Sequence, residues 1–352
     1  MAKSGEGLSD RLFTRRVLIV LALGALFYIT WELRGVLLML FGAVVVATVF
    51  RALADQLHHW FKFRDSIAVG LSVAIILGAT GALIWFFASH FAGQFEGLRE
   101  SLPRAWRSFE IRVGEYGLGK QLSSAMAQGG GVAGGLFGNI GRTIMSVSSA
   151  LADLMVVIFG GIFLAAQPNF YRVGVIKLIP SGKRRLVGEA MMDSERALRL
   201  WLRGQLLAMV IVGILTGGGL WLLGMPSAAV LGLLAGLLEF IPFAGPVLAA
   251  IPALLLALAV SPDLALWVVL IYVVVQQIEG SILQPMIQQY AVDLPGVVLL
   301  FALIAFGALF GALGVILAAP LAVVCYVLVK RLYVVEALDT ATPIPGEEKA
   351  KT

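Results

Sequence analysis

Four carboxylates stand in a long apolar stretch that contains no basic residue. Between residues 204 and 329 the chain has no Lys or Arg, yet it keeps Glu239, Asp263, Glu279 and Asp293. Burying an ionisable side chain among apolar residues costs free energy, so each of these carboxylates is a functional candidate by default. Carboxylates without basic partners suit a proton or a cation as ligand, and they suit an anion poorly. The structural alternative is that they cap helices or hydrogen-bond to neighbouring helices.

Glu239 lies beside a group of helix-breaking residues. The segment LLEFIPFAGP covers residues 237–246 and contains Pro242, Gly245 and Pro246. Proline removes a helical hydrogen bond and clashes with the preceding turn, and freed backbone groups at membrane depth need protein or water partners. We therefore expect a broken or re-entrant helix pair. Its backbone carbonyls and the N-terminus of its second helix would converge with Glu239 on a cation or small polar solute.

Glu279 borders a polar stripe on the next predicted helix. At about 100° per residue, one sector of that helix collects Gln276, Gln277, Gly280, Ser281, Gln284 and Gln288, with Glu279 at its edge. Such a stripe should face the protein interior or an aqueous path, and we assign Gln277, Glu279 and Gln284 to a transport pathway. Hydrogen bonding between helices or subunits is the alternative. Gln205 is expected at the inner mouth of the pathway, Asp293 near it, and Asp263 at a loop end.

The composition predicts an all-α, polytopic membrane protein. Hydrophobic residues make up 60% of the chain and charged residues 13%, whereas soluble domains contain roughly 45–50% apolar and about 25% charged residues. The net charge of +5 arises from 26 basic against 21 acidic residues. Most basic residues lie in short connections between apolar runs, so we predict a lipid bilayer and no nucleic acid as partner.

Motifs of enzymes and of nucleotide-driven pumps are missing from the sequence. It contains no nucleophile elbow, no metal-ligand cluster and no ATP-binding motif. His58 and His59 are adjacent and point to different helix faces, so they are not expected to share a metal. We predict neither an enzyme nor a bound cofactor.

The apolar runs place about eight membrane segments. Single spans are predicted at residues 17–33, 36–50, 67–88, 151–166, 206–223 and 264–287, and two overlong runs cover residues 226–260 and 295–329. One span needs only about 20 apolar residues, so the two overlong runs are expected to be broken or re-entrant. The sequence leaves open whether each crosses once or folds back as a hairpin.

The predicted organisation follows from these spans and from charge. It comprises a cytoplasmic N-terminal segment (1–16), three transmembrane helices (17–88), an extracytoplasmic amphipathic and Gly-rich segment (89–148), a fourth span with a basic cytoplasmic connection (149–203), a transport module with broken helices (204–331) and a disordered cytoplasmic tail (332–352). By the positive-inside rule, residues 51–66, 167–203 and 330–331 share the cytoplasmic side with both termini.

The two overlong runs resemble each other. Aligning Pro226 with Pro295 also aligns Gly245 with Gly314 and brings the two Leu-Ala-Ala sequences into register. The second run is interrupted by Gly307, Gly311 and Gly314. Matching interrupted segments are a pointer to a transporter's binding site. Two hairpins separated by one span would enter the membrane from opposite sides.

Four motifs together resemble the autoinducer-2 exporter family of bacterial transporters. They are LWLRGQ at 200–205, LLEFIPFAGP at 237–246, QIEGSILQP at 277–285 and GALGVILAAPL at 311–321. The resemblance implies about eight membrane segments, homo-oligomeric assembly in the bacterial inner membrane, and one of two activities. These are export of the furanone autoinducer-2, or sodium(lithium)/proton antiport. Where the family often has Leu-His-Pro, this chain has Asp293-Leu294-Pro295, so a proton role of that histidine does not carry over.

The residues and the resemblance together predict a secondary transporter. It would export a small solute such as autoinducer-2, driven by an ion gradient through the intramembrane carboxylates. A sodium(lithium)/proton antiporter is the main alternative. A scaffolding membrane protein that binds a partner through residues 89–148 is an alternative from another class, and a channel also remains open.

Overall fold

The computed structural model describes residues 6–86, 89, 140–285, 294–340 and 342; for residues 6–14 and 140–151 it describes the backbone alone. Every regular element in these residues is helical. The helices are α1 (Glu6–Glu32), α2 (Arg34–Phe61), α3 (Asp65–Phe86), α4 (Ile140–Ala166), α5 (Pro168–Lys177), α6 (Arg184–Leu222), α7 (Ala228–Leu238), α8 (Ala244–Val260), α9 (Pro262–Ile278) and α10 (Gly296–Val329). A 3₁₀ turn at Ser181–Lys183 precedes α6, and π-helical turns at Glu279–Leu283 and Lys330–Val335 follow α9 and α10.

Five helical stretches are long and apolar enough to cross a membrane. They are Arg34–Phe61, Asp65–Phe86, Ser181–Leu222, Pro262–Leu283 and Gly296–Val335. The bent pair Ala152–Ala166 and Pro168–Lys177, with 89° between its halves, makes a sixth. The apolar helix α1 and the short apolar helices α7 and α8 lie outside this set. The chain is a polytopic helical membrane protein, as its composition predicts.

Two helices extend beyond the predicted spans. The second span was expected to end at residue 50, but α2 continues to Phe61 because Ala54 and Leu57 are buried against α3 and α4. Only a short connection remains, and Lys62 takes a left-handed conformation there with φ 55°. The basic connection before residue 203 is also largely helical, since α6 runs unbroken from Arg184 to Leu222. The π-helical turn Lys330–Val335 covers the first residues of the predicted tail.

Other sequence predictions fall outside the described residues. These include the amphipathic helix expected between residues 89 and 139 and most of the Gly-rich linker, although α4 already begins at Ile140. Asp293 is also outside them.

The first overlong run folds back on itself. α7 lies antiparallel to α6, with Gly236 opposite Gly213 and Gly232 opposite Gly217 in direct backbone contact. The chain turns at residues 239–243, where Phe243 has φ 63°, and α8 returns along α7. We call α7 and α8 with this turn hairpin A.

The second overlong run also folds back. Gly311 in α10 has φ 66° and ψ −145°, a region that only glycine occupies readily. A Cβ at Gly314 would collide with the carbonyl of Phe306, although eight residues of straight helix would separate the two by about 12 Å. The two halves of α10 therefore form hairpin B. The same collision occurs in hairpin A between Gly245 and the Leu238 carbonyl, which supports the repeat proposed from sequence.

The two hairpins enter the bundle from opposite ends. The ring of Phe240, in the turn of hairpin A, lies 5.9 Å from that of Trp201 on α6. Two residues earlier on α6, Arg199 pairs with Asp55 near the end of α2. Phe306 and Phe310 of hairpin B instead line a cleft with Arg34, at the start of α2. About 30 Å of helix separates Arg34 from Asp55.

Ion pairs gather the predicted cytoplasmic segments at one end of the bundle. Arg331 pairs with Glu189 on α6 and lies 3.7 Å from Asp193. Arg51 on α2 pairs with Asp65 at 2.6 Å and donates to the Ala165 carbonyl of α4 at 2.8 Å. These links tie α2, α3, α4, α6 and the end of α10 together, and the same end carries the turn of hairpin A.

Candidate functional site

A pair of buried carboxylates lies at the turn of hairpin A. Glu239 is 3% exposed and Glu279 is 7% exposed, and their side chains lie within hydrogen-bonding reach of each other. Among the described residues, neither forms an ion pair with a basic side chain. We call Glu239 and Glu279 the carboxylate pair.

Two antiparallel helix pairs, α6 with α7 and α8 with α9, bring the carboxylate pair together. Glu239 directly follows the last residue of α7, which runs antiparallel to α6. The Gln205 amide on α6 donates a hydrogen bond to the Glu239 backbone carbonyl at 2.7 Å. α9 returns along α8, where the Tyr272 hydroxyl donates to the Ala249 carbonyl at 3.0 Å. That return places Glu279, at the end of α9, beside Glu239.

The π-helical turn orients Glu279. Its carboxylate accepts hydrogen bonds from the amide of Gln276, three residues earlier, and from Gln284, five residues later, at 3.3 Å. The wider π-helical turn brings residues five apart onto one face, which an α-helix does not. Such turns occur frequently at functional sites.

The contact between the carboxylates restricts their protonation. An ionised carboxylate only accepts hydrogen bonds, so a hydrogen bond between two of them needs a proton on one. Without that proton, the buried pair requires a cation to offset like-charge repulsion. The arrangement can therefore hold a proton or a small cation. No group of three or more His, Cys, Asp or Glu side chains suited to a metal ion occurs among the described residues.

The backbone at the turn of hairpin A does not offer the open donors expected from sequence. Ala244 and Gly245, the first residues of α8, donate to the carbonyls of Pro242 and Ile241 at 2.7 and 2.8 Å. Pro246 has no N–H group. The turn therefore satisfies these two donors itself, and solute binding at the α8 N-terminus stays a prediction. Pro242, Gly245 and Pro246 shape the turn, and Gly245 allows its close approach to Leu238.

The other residues singled out from sequence, namely the pathway residue Gln277, the helix-break glycines and Asp263, lie away from the carboxylate pair. Gln277 is exposed and donates to Ser281 at 2.7 Å, away from the carboxylate pair. Gly307, Gly311 and Gly314 lie in hairpin B, at the other end of the bundle. Asp263 lies in the first turn of α9, where Ser261 provides the cap by accepting from the Leu264 N–H at 3.1 Å.

Two residues of the site were not selected from sequence. Gln276 lies in the polar stripe, but nothing in the stripe distinguishes it from Gln277 until α9 is packed. Trp201 contacts Phe240 in the turn of hairpin A, and its only sequence signal is its place in the LWLRGQ motif.

The comparison with known proteins decides the family. The profile of the AI-2E family transporters matches residues 17–333, which is most of the chain. The chain belongs to the AI-2E family. It is a multi-pass membrane protein of a transporter family, as the resemblance implied.

Individual relatives agree with this assignment. This AI-2E family member is 38% identical to the "Putative transport protein YrrI" of Bacillus subtilis over 143 residues, covering 41% of this chain and 40% of that protein. It is 25% identical to the "Putative transport protein MT0215" of Mycobacterium tuberculosis over 291 residues, covering 79% and 78%. It is 27% identical to the "Putative permease PerM" of Escherichia coli over 185 residues, covering 52% and 51%. The chain therefore spans less than half the length of YrrI and about half that of PerM.

Proposed function

We propose that this AI-2E family member is a secondary transporter that exports a small solute such as autoinducer-2 across the bacterial inner membrane, coupled to an ion through the carboxylate pair. The observation that carries the proposal is the contact between two buried carboxylates in a stretch, residues 204–329, that contains no Lys or Arg. A purely structural role would gain little from burying two like-charged groups, because burial penalises charge unless it is paired.

Coupling of solute movement to an ion follows because the two carboxylates lie on different segments of the chain. Glu239 belongs to the turn of hairpin A, whereas Glu279 belongs to α9. When the turn and α9 are in contact, one proton holds the pair together; when they separate, both carboxylates are free to ionise in an aqueous opening. Motion of the 204–331 module against the N-terminal helices would thus bind a proton on one side and release it on the other.

Sodium(lithium)/proton antiport is the second candidate. Carboxylate and amide oxygens are suitable ligands for hard cations, and the side chains of Gln205, Gln276 and Gln284 surround the pair. A cation and a proton would then compete for the same two carboxylates, which is the minimum requirement of antiport.

Orientation and assembly complete the proposal. The end of the bundle that carries the basic segments is cytoplasmic, together with both termini. The exposed polar side chains of Gln277, on α9, and Ser281, in the π-helical turn after it, would be costly against lipid. This cost supports a homo-oligomer in which a second copy covers them.

The test is flux in liposomes that carry a pH gradient, with internal pH followed as sodium, lithium or autoinducer-2 is added. Glu239→Gln and Glu279→Gln should each reduce coupled proton movement by at least about 100-fold, since mutation of an essential catalytic or coupling group typically costs 10²-fold or more. Asp263→Asn removes a carboxylate from the same module but outside the pair, and should retain wild-type flux.

The outcomes separate the alternatives. Proton movement that requires sodium or lithium supports antiport, and movement that requires autoinducer-2 supports export. Wild-type flux in both glutamine variants would show that the pair is structural and that its proposed coupling role is wrong. No saturable flux of any of these solutes would favour the scaffolding or channel alternatives.

A further inference from the structure

Hairpin B and the first two helices enclose a cleft far from the carboxylate pair. It has a volume of about 280 Å³ and an almost wholly apolar lining. Phe27, Trp31 and Phe41 line it from α1 and α2, and Phe306 and Phe310 from the turn of hairpin B. The volume lies near the roughly 300 Å³ lower end of ligand pockets. A polar solute would leave its hydrogen-bonding groups unpaired against such a lining, whereas an apolar chain would not.

Arg34 is the one charged residue among those described around the cleft. Its guanidinium carbon lies 4.6 Å from the centroid of the Trp31 ring, and its Nη1 donates to the Trp31 carbonyl at 3.1 Å. No acidic side chain pairs with Arg34 in the part of the chain that the structure describes. Its remaining N–H groups form a planar fork that matches a phosphate.

The charged and apolar parts of the cleft are arranged in the same order as the headgroup and acyl chains of a lipid in a bilayer. Trp31 and Tyr28 are 45% and 68% exposed at the end of α1, and these residue types concentrate at the headgroup level of membranes. Leu38 and Phe41 line the cleft about one and two turns further along α2 than Arg34. The charged end of the cleft is therefore at the headgroups, and its apolar part extends toward the acyl chains.

We propose that this cleft binds an anionic phospholipid, with the phosphate held by Arg34 and one acyl chain inserted between α1, α2 and hairpin B. Phe306 and Phe310 directly precede the turn at Gly311, so the bound chain braces that turn. The lipid thereby fixes the position of hairpin B. This site is separate from the carboxylate pair and does not depend on its proposed coupling role.

The test is lipid binding to purified, delipidated full-length protein, measured by native mass spectrometry. The probes are phosphatidylglycerol and phosphatidylcholine with identical acyl chains, and inorganic phosphate as competitor. Arg34→Gln should weaken phosphatidylglycerol binding by about tenfold, the loss expected for a charge-assisted hydrogen bond, and should abolish its advantage over phosphatidylcholine. Arg64→Gln removes the same charge near the opposite end of α2 and should bind like wild type.

A second variant tests the apolar part of the site. Leu309 lines the cleft, and Leu309→Trp should fill it and weaken binding of both lipids. If that variant does not fold, Leu37→Trp fills the cleft from α2. Equal retention of phosphatidylglycerol by Arg34→Gln and wild type would overturn the proposal. So would displacement by inorganic phosphate without any effect of the cleft-filling variants, or a cross-link showing a second copy of the chain in the cleft.

Discussion

At the level of single residues, the position of Glu239 depends on Gln205. The Gln205 amide reaches across from α6 to the Glu239 carbonyl at 2.7 Å, where α7 has ended and no helical N–H is available. Gln205, the last residue of the LWLRGQ motif, therefore has a structural role. The sequence had suggested only that it adds polarity at the inner mouth of the transport pathway. Loss of this hydrogen bond would leave a buried carbonyl without its partner.

Gln205→Ala is expected to destabilise the protein by about 1–3 kcal/mol, the cost of leaving a buried polar group unsatisfied. It should also weaken coupled transport, because the turn that carries Glu239 loses its anchor to α6. The measurements are the thermal unfolding midpoint in detergent and flux in liposomes. Gln167→Ala is the matched control, since Gln167 is exposed at the start of α5 and its side chain makes no capping hydrogen bond. Equal effects of the two substitutions would contradict the anchoring role.

At the level of elements, the two hairpins use the same device to fold back. In each, a glycine on the second helix packs against a carbonyl near the end of the first, Gly245 on Leu238 and Gly314 on Phe306. The turns differ in chemistry, however. Hairpin A carries Glu239 in its turn, whereas the corresponding part of hairpin B carries Ala308 and Leu309. Hairpins A and B therefore have similar backbone conformations, but the turn of hairpin A carries the ionisable site and the turn of hairpin B is apolar.

Gly245→Ala and Gly314→Ala are each expected to destabilise the protein by about 1–3 kcal/mol, because an added Cβ would collide with backbone that must then shift. Circular dichroism melts in detergent provide the measurement. Gly218→Ala on α6 is the control, since a Cβ there meets no atom within 4 Å, and alanine is favoured over glycine in helices by roughly 1 kcal/mol. A destabilising Gly218→Ala or a neutral Gly314→Ala would argue against the hairpin geometry.

At the level of the whole molecule, the polar side chains at the end of α9 and in the π-helical turn after it fall into two groups with different hydrogen-bond partners. Gln276 and Gln284 donate to Glu279, whereas the exposed Gln277 donates only to the exposed Ser281. An exposed amide facing lipid is unfavourable, and hydrogen bonds between membrane helices are its usual compensation. A second copy of the chain at this face would provide them.

Gln277→Cys, in a Cys325→Ala background that removes the single native cysteine, is therefore expected to form disulfide-linked dimers on mild oxidation in membranes. Ile214→Cys in the same background is the control, because Ile214 is an exposed apolar residue on α6 whose burial by another copy is not required. Electrophoresis without reductant provides the measurement. Monomers alone for Gln277→Cys would contradict assembly through α9.

The sequence by itself determined the class, most spans and the places where the overlong runs break. These are local properties. An apolar segment in lipid must form a helix to satisfy its backbone hydrogen bonds, and Pro242, Gly311 and their neighbours interrupt a helix whatever it packs against. The candidate carboxylates were also identifiable, because ionisable residues stand out in an apolar run. The end of α2 was missed, since tertiary contacts at Leu57 extend that helix through sequence that is locally polar.

Only the tertiary structure decided how these features combine. It folded both overlong runs into hairpins, brought Glu239 against Glu279 across 40 positions of sequence, and separated Gln276 from its neighbour Gln277. The physical reason is that helical periodicity fixes which residues share a face but not which helix that face meets. That choice depends on long-range packing, here the glycine contacts between α6 and α7 and the antiparallel return of α9.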